Sequence, residues 1–135
     1  MIARICAALL AAALLFAAAT DYIPAFIDAQ GRVFGLFHLD IYKDALHVAS
    51  AAWALVAALI SRRAAFLFLG VFGALYFLDG VMGVFTGSGF LDLSILIYGI
   101  LNVSPLVKFL SSLPHLALGA FGMASAWLDS RRAAA

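Results

Sequence analysis

The chain carries four apolar runs that are each about as long as a membrane-spanning helix. They cover residues from about 5–27, 41–60, 64–85 and 105–128 of the 135-residue sequence. A helix needs about 20 mostly apolar residues to cross the hydrocarbon core of a bilayer. Only 11% of the residues are charged, against about 25% in soluble domains, which is too little polar surface to cover a soluble core of this size. The runs predict an all-α integral membrane protein, a four-helix bundle.

The second and fourth runs share one pattern. The second contains Leu-His-Val-Ala at 46–49 and ends in Ser-Arg-Arg at 61–63, and the fourth contains Pro-His-Leu-Ala at 114–117 and ends in Ser-Arg-Arg at 130–132. A two-helix unit keeps its direction across the membrane, so two such units are related by an axis along the membrane normal. The pattern predicts a single transmembrane domain made of two parallel two-helix repeats. These repeats cover about 1–63 and 64–135.

The basic residues indicate the orientation in the membrane. One side of the four-helix arrangement holds Arg4, Arg62, Arg63, Arg131 and Arg132, and the other holds Arg32, Lys43 and Lys108. The positive-inside rule then places both termini of a multi-pass protein in the cytoplasm. The first run has a second interpretation, because Arg4, an Ala/Leu-rich stretch and the alanines at 17–19 are typical of a cleavable signal peptide. The apolar character that resumes at 22–27 favours a full span.

Polar residues mark two helix starts. Asp40 and Ser104 stand at N-cap positions before the second and fourth runs, and Pro105 follows Ser104 at N1, where its missing N–H costs nothing. Pro114 predicts either a kink or a helix that restarts near Ser112. The stretch 90–103 is too short and interrupted for a fifth span, and we expect an interfacial or re-entrant piece there.

Four ionisable residues are predicted to share one layer of the bundle. His47 and His115 lie 14 residues from the cytoplasmic helix ends, roughly 21 Å, and Asp79 and Asp21 lie 16 and 17 residues from them, roughly 24–26 Å. Two imidazoles and two carboxylates could hold a transition metal, and His47 and His115 could ligate a haem from both faces. Asp79 could instead serve a proton or ion path. The remaining interpretation is structural: the side chains hydrogen-bond each other between helices, with no cofactor.

Small residues predict close helix packing. In the third run they recur at Gly70, Gly73, Gly80, Gly83 and Gly87, and in the second and fourth at Ala49, Ala52, Gly119, Gly122 and Ala126. We expect them to pack helices within the bundle, with a dimerisation face as the alternative. The aromatic residues of the third run are expected to face lipid or core. They are Phe66, Phe68, Phe72, Tyr76 and Phe77.

Several functions are excluded by what the sequence lacks. It has no P-loop, no Gly-x-Ser-x-Gly, no Cys-x-x-Cys and no dinucleotide-binding glycine motif. Cys6 is the only cysteine, which rules out an intrachain disulfide and a cysteine-based metal site. The net charge of +1 argues against a nucleic-acid partner.

Two segments resemble a family of small bacterial membrane proteins. The first is Phe-Gly-Leu-Phe-His-Leu-Asp at 34–40 followed by Leu46-His47, and the second is His-Leu-Ala-Leu-Gly-Ala-Phe-Gly at 115–122. They are similar to the Gly-Leu-Phe-x-Val-Asn and His-Leu-x-x-Gly-x-x-Gly elements of domain-of-unknown-function family 4383. The chain departs from that family at Ser50 and Ala54, where glycine is favoured, and at Asp40-Ile41, where the family has Asn-Pro. The resemblance implies four spans in a bacterial inner membrane and no established activity.

Together these features predict a non-enzymatic structural or accessory membrane module. Its partners would be the bilayer and either a second copy or a larger membrane complex. The alternatives are a metal- or haem-binding redox protein that uses His47 and His115, and a small transporter or proton conductor that uses Asp79. The structural interpretation expects His47→Ala and Asp79→Asn to lower stability.

Overall fold

A computed structural model describes residues 1–134, and all the regular secondary structure in that range is helical. Four helices are long and apolar enough to cross a membrane, and the prediction of an all-α chain with four such helices is confirmed. They are α1 (Ile2–Ala19), α2 (Ile41–Ile60), α3 (Arg62–Thr86) and α5 (Pro105–Ala134), with a one-turn helix α4 (Ser94–Ile97) between the last two.

The first helix is shorter than the apolar run that encodes it. α1 ends at Ala19, and the chain continues through two 3₁₀ turns, Thr20–Tyr22 and Pro24–Phe26, instead of extending to residue 27. Ile23 between the turns is extended, because the ring of Pro24 disfavours the α conformation in the residue before it. The predicted end of this span was therefore wrong.

Both predicted caps are present. The Asp40 carboxylate accepts the backbone N–H groups of Tyr42 and Lys43, each at 3.0 Å. The Ser104 hydroxyl accepts the N–H of Val107 at 3.3 Å, with Pro105 as the first helical residue. α5 then passes through Pro114 without interruption, so a restart near Ser112 is wrong.

The helices pack mainly in two pairs, α1 with α2 and α3 with α5. Between α3 and α5 the glycines bring the backbones together: a Cβ added to Gly73 would lie 2.6 Å from the N of Met123 and 2.9 Å from the O of Gly119. Gly80, Gly83 and Gly122 are similarly blocked by α5 or α3. The prediction that these glycines pack helices within the bundle is confirmed. This pairing also matches a two-helix repeat, which stays a prediction.

Four residues of the predicted small-residue set do not pack α3 against α5. Gly70 has nothing within 4 Å of an added Cβ, and Gly87 ends α3 in a left-handed conformation with φ of +80°. On α2 the predicted stripe is on the wrong face, because Ala49 and Ala52 are exposed. The buried small residues of that helix are Ala51, Ala54, Ala57 and Ala58.

An aromatic stack forms much of the core. Phe68, Phe72 and Tyr76 succeed each other at four-residue spacing on α3, with ring centroids 5.0 and 4.1 Å apart. The stack begins at Trp53 of α2, 4.9 Å from Phe68, and ends at His115 of α5, 4.9 Å from Tyr76. It leads from the helix ends that carry the arginines toward the predicted polar layer.

The arginine end is held by Asp129. This buried carboxylate accepts the Nε of Arg62 at 2.9 Å and the backbone N–H of Ala3 at 3.2 Å, which joins α1, α3 and α5. Arg4 donates its Nε to the carbonyl of Ala58 at 2.6 Å and so holds the end of α2. The opposite end is covered by the segments 20–40 and 87–104.

Candidate functional site

Three of the four predicted ionisable residues meet at the covered end of the bundle. The Nδ1 of His115 on α5 lies 2.6 Å from the Oδ2 of Asp79 on α3. The ring of His47 on α2 meets the ring of His115 edge to face, with centroids 5.9 Å apart. Equal depth along three helices therefore predicted a real cluster.

Asp21 does not join this cluster. It lies in the turn Thr20–Tyr22. Within residues 1–134 its side chain forms no hydrogen bond and no ion pair. Its neighbour Tyr22 donates its hydroxyl to the Oδ2 of Asp44 at 2.8 Å. The early end of α1 explains this placement, because Asp21 stands beyond the helix on which its depth was calculated.

Both oxygens of the Asp79 carboxylate take part in hydrogen bonds. Its Oδ1 accepts the backbone N–H groups of Phe90 at 2.6 Å and Leu91 at 2.8 Å, and its Oδ2 faces His115. An ionised carboxylate can only accept, so Nδ1 of His115 is the donor in this pair; in the uncharged imidazole this leaves Nε2 as an acceptor. A Cβ on Gly89 would lie 2.5 Å from Oδ2, so only glycine lets the chain fold this closely over Asp79.

His47 stands in contrast to Asp79. The residue is only 7% exposed, and its Nδ1 is a buried nitrogen without a hydrogen-bond partner among the described residues. Most buried polar atoms in proteins are hydrogen-bonded, so an unpaired one calls for an explanation. A structural role by hydrogen bonding therefore applies to Asp79 and His115 and not to His47.

A charged network on the covering segments went unnoticed in the sequence. Lys43 lies 2.8 Å from Asp40 and 3.5 Å from Asp92, and the ring of Tyr98 lies beside its ammonium group. Asp92 is buried and also accepts the N–H and hydroxyl of Ser94 at 3.0 and 2.7 Å. The Asp-x-Ser spacing just before α4 was the available signal, because it is typical of a local side-chain turn.

This network also changes the acidity of two groups outside the helices. Burial opposes ionisation of Asp40, but hydrogen bonds from the side chain and backbone of Lys43 outweigh it, and the pKa of Asp40 lies below its usual range. The hydrogen bond that Tyr98 donates to Asp40 at 3.0 Å raises the pKa of Tyr98. Asp40 is therefore a charged cap at neutral pH.

The cluster lines a cavity of about 610 Å³ between the helices and the covering segments. This volume falls within the range of small-molecule sites, and most of the wall is apolar. Polar side chains from several elements also line it. These include His47, Asp79, His115, Lys43, Asp92 and Ser112. A second cleft of about 450 Å³ lies at the arginine end beside Arg62, Arg63 and Asp129.

The residues do not assemble the four-ligand site that the sequence allowed. Across residues 1–134, no three His, Cys, Asp or Glu side chains converge on a point that could hold a metal ion. The hydrogen bond between His115 and Asp79 resembles the one by which a carboxylate orients a metal-bound histidine. Only His47 and His115 would then be left as ligands.

Comparison of the chain with known protein families, curated proteins and solved structures gave no match. The class of protein therefore rests on the fold: an all-helical chain with four helices able to span a membrane.

Proposed function

We propose that this chain is a non-enzymatic, multi-pass module of a bacterial inner membrane, in which Asp79 fastens the covering segment 87–104 to the helix pair α3 and α5. The observation that carries the proposal is the set of three hydrogen bonds to this carboxylate, from His115, Phe90 and Leu91. A carboxylate whose oxygens are all engaged is suited to holding structure.

The topology belongs to the same proposal. Arg4 and Arg62 contact the far ends of α2 and α5, so the five arginines gather at one end of the bundle. Only Arg32, Lys43 and Lys108 lie toward the other. This asymmetry supports cytoplasmic termini. Two parallel repeats and membership of family 4383 are retained as parts of the proposal.

Association with lipid or another subunit is supported by α5. This helix has the smallest buried share of the four long helices and presents a row of exposed apolar residues. The row includes Leu106, Phe109, Leu113, Phe121 and Trp127. An accessory module would bury it against the bilayer, a second copy or a larger complex.

The test compares Asp79→Asn with Asp79→Ala. Asn keeps one oxygen for the N–H groups of Phe90 and Leu91, whereas Ala leaves three donors without their acceptor. Each unsatisfied buried donor costs about 1–3 kcal/mol, so we expect Ala to lower the unfolding free energy by more than about 3 kcal/mol and Asn by less than half as much. Unfolding of the purified protein in detergent measures both.

Two results would overturn the proposal. Proton flux into liposomes that exceeds the leak of empty liposomes, and that Asp79→Asn and Asp79→Ala abolish equally, would show that ionisation of Asp79 is its role. A Soret band or stoichiometric metal in the purified protein, lost in His47→Ala, would establish the metal or haem alternative.

A further inference from the structure

His47 offers an unused hydrogen-bonding edge to the cavity. No hydrogen bond involves either ring nitrogen of His47 within residues 1–134; Nδ1 is buried, so Nε2 is the nitrogen that a molecule in the cavity can reach. An uncharged imidazole has one N–H donor and one acceptor nitrogen. Next to it, Nε2 of His115 is an acceptor, because Nδ1 donates to Asp79. With its proton on Nε2, His47 therefore presents a donor, and His115 presents an acceptor, to the same space.

The charged side chains around the cavity are already paired, so they do not favour a charged ligand. Lys43 is paired with Asp40 and Asp92, and Arg32 is paired with Asp28 at 2.9 Å. The remaining carboxylate, Asp79, already accepts hydrogen bonds from three donors. An anion or a cation entering the cavity would compete with these pairs, whereas an uncharged molecule would not.

The rest of the wall indicates the body of the molecule. Aromatic rings reach the cavity from α1 and from both covering segments, at Phe16, Phe34, Phe37 and Tyr98. Aliphatic side chains such as Leu46 and Leu118 fill the spaces between the rings. Flat apolar walls of this kind favour stacking with a ring. A group that both donates and accepts, as a hydroxyl does, matches the two imidazoles.

From these features we infer that the cavity binds an uncharged, lipophilic molecule with an aromatic hydroxyl, a phenol or hydroquinone. The hydroxyl donates to Nε2 of His115 and accepts from the N–H of His47. The ring lies among the phenylalanines, and the hydrophobic tail extends from the bundle. The inference goes beyond the structural role of Asp79 but rests on one of its hydrogen bonds, because the bond from Nδ1 of His115 makes Nε2 the acceptor. His47 takes no part in the Asp79 hydrogen bonds, so His47→Phe tests the inference separately.

The experiment uses the full chain in nanodiscs with 4-octylphenol as the probe. Its methyl ether, 4-octylanisole, has nearly the same shape but no donor, and 1-dodecanol has a hydroxyl without a ring. Empty nanodiscs measure partition into lipid. We expect saturable retention of one 4-octylphenol per chain above that background, with at least tenfold weaker retention of both control molecules.

The matched variant is His47→Phe, which keeps a ring in the wall and removes the nitrogens. We expect it to lose at least tenfold in affinity for 4-octylphenol while its unfolding stability stays equal to or above that of the wild type, because the nitrogen it removes has no partner in the fold. Retention equal to that of empty nanodiscs would overturn the inference. Equal binding of the anisole or of dodecanol, or unchanged binding by His47→Phe, would overturn it as well.

Discussion

The close approach of α3 and α5 can be tested with two glycines on one helix. Gly73 and Gly70 lie three residues apart on α3, but an added Cβ meets the backbone of α5 at Gly73 and nothing within 4 Å at Gly70. At Gly73 the Cβ would lie 2.6 Å from the N of Met123 and 2.9 Å from the O of Gly119. Both obstacles are backbone atoms, so the helices must separate to relieve the contact.

The expected magnitude follows from comparing the two variants. Gly→Ala raises intrinsic helix stability by up to about 1 kcal/mol at either position, so this gain cancels in the difference between Gly73→Ala and Gly70→Ala. The difference is then the cost of overpacking, about 1–3 kcal/mol. Reversible unfolding in mixed detergent micelles, followed by circular dichroism, gives both free energies. If Gly73→Ala proves as stable as Gly70→Ala, the backbone contact between α3 and α5 is wrong.

Three further predictions concern the covered end and the caps. Gly89→Ala places a Cβ 2.5 Å from Asp79. The double variant Gly89→Ala/Asp79→Ala should therefore lose at least about 1 kcal/mol less unfolding free energy than the sum of the two single variants. Additive losses would contradict the contact. Asp40 has a lowered pKa, so its stabilising charge is fully present above about pH 4 and is lost as the pH falls through the folded value. The Tm difference between wild type and Asp40→Asn, which keeps the capping oxygen, should narrow below that pH, and a constant difference from pH 7 to 3 would disprove the assignment. Ser104→Ala should lower the unfolding free energy by about 0.5–1 kcal/mol, because it removes the side-chain cap on the N–H of Val107. Ser111→Ala is the control and should lower it less, because the Ser111 hydroxyl contacts only carbonyls of its own helix.

The sequence was sufficient to predict the long helices because membrane spans depend on run length and apolarity. It was also sufficient to bring His47, Asp79 and His115 together, since a helix rises by a constant amount per residue. The same calculation misplaced Asp21, because it assumed a continuous helix beyond Ala19, where the chain instead enters a 3₁₀ turn. On α2 the small residues were so frequent that composition alone did not distinguish the buried face from the exposed one.

The cavity could not be predicted, because it depends on contacts between segments that are distant in sequence. Lys43 lies at the start of α2, whereas Asp92 and Tyr98 belong to segment 87–104, and no periodic pattern relates Lys43 to them. Predicting how segment 87–91 folds over Asp79 would require knowing that Gly89 lies against the carboxylate. In the sequence, Gly87-Ser88-Gly89 indicates only a loop. That Nδ1 of His47 lacks a hydrogen-bond partner can be seen only when the positions of all neighbouring donors and acceptors are known.

The two kinds of donor on Asp79 have a consequence for synthesis of the chain. The N–H groups of Phe90 and Leu91 are 11 and 12 residues downstream of Asp79, whereas His115 is 36 residues downstream. During translation the local donors therefore become available well before α5 has been made. In the membrane module proposed above, the carboxylate on α3 is covered first by its own following loop and then by the last helix, so the charge is never left without hydrogen-bond donors in lipid.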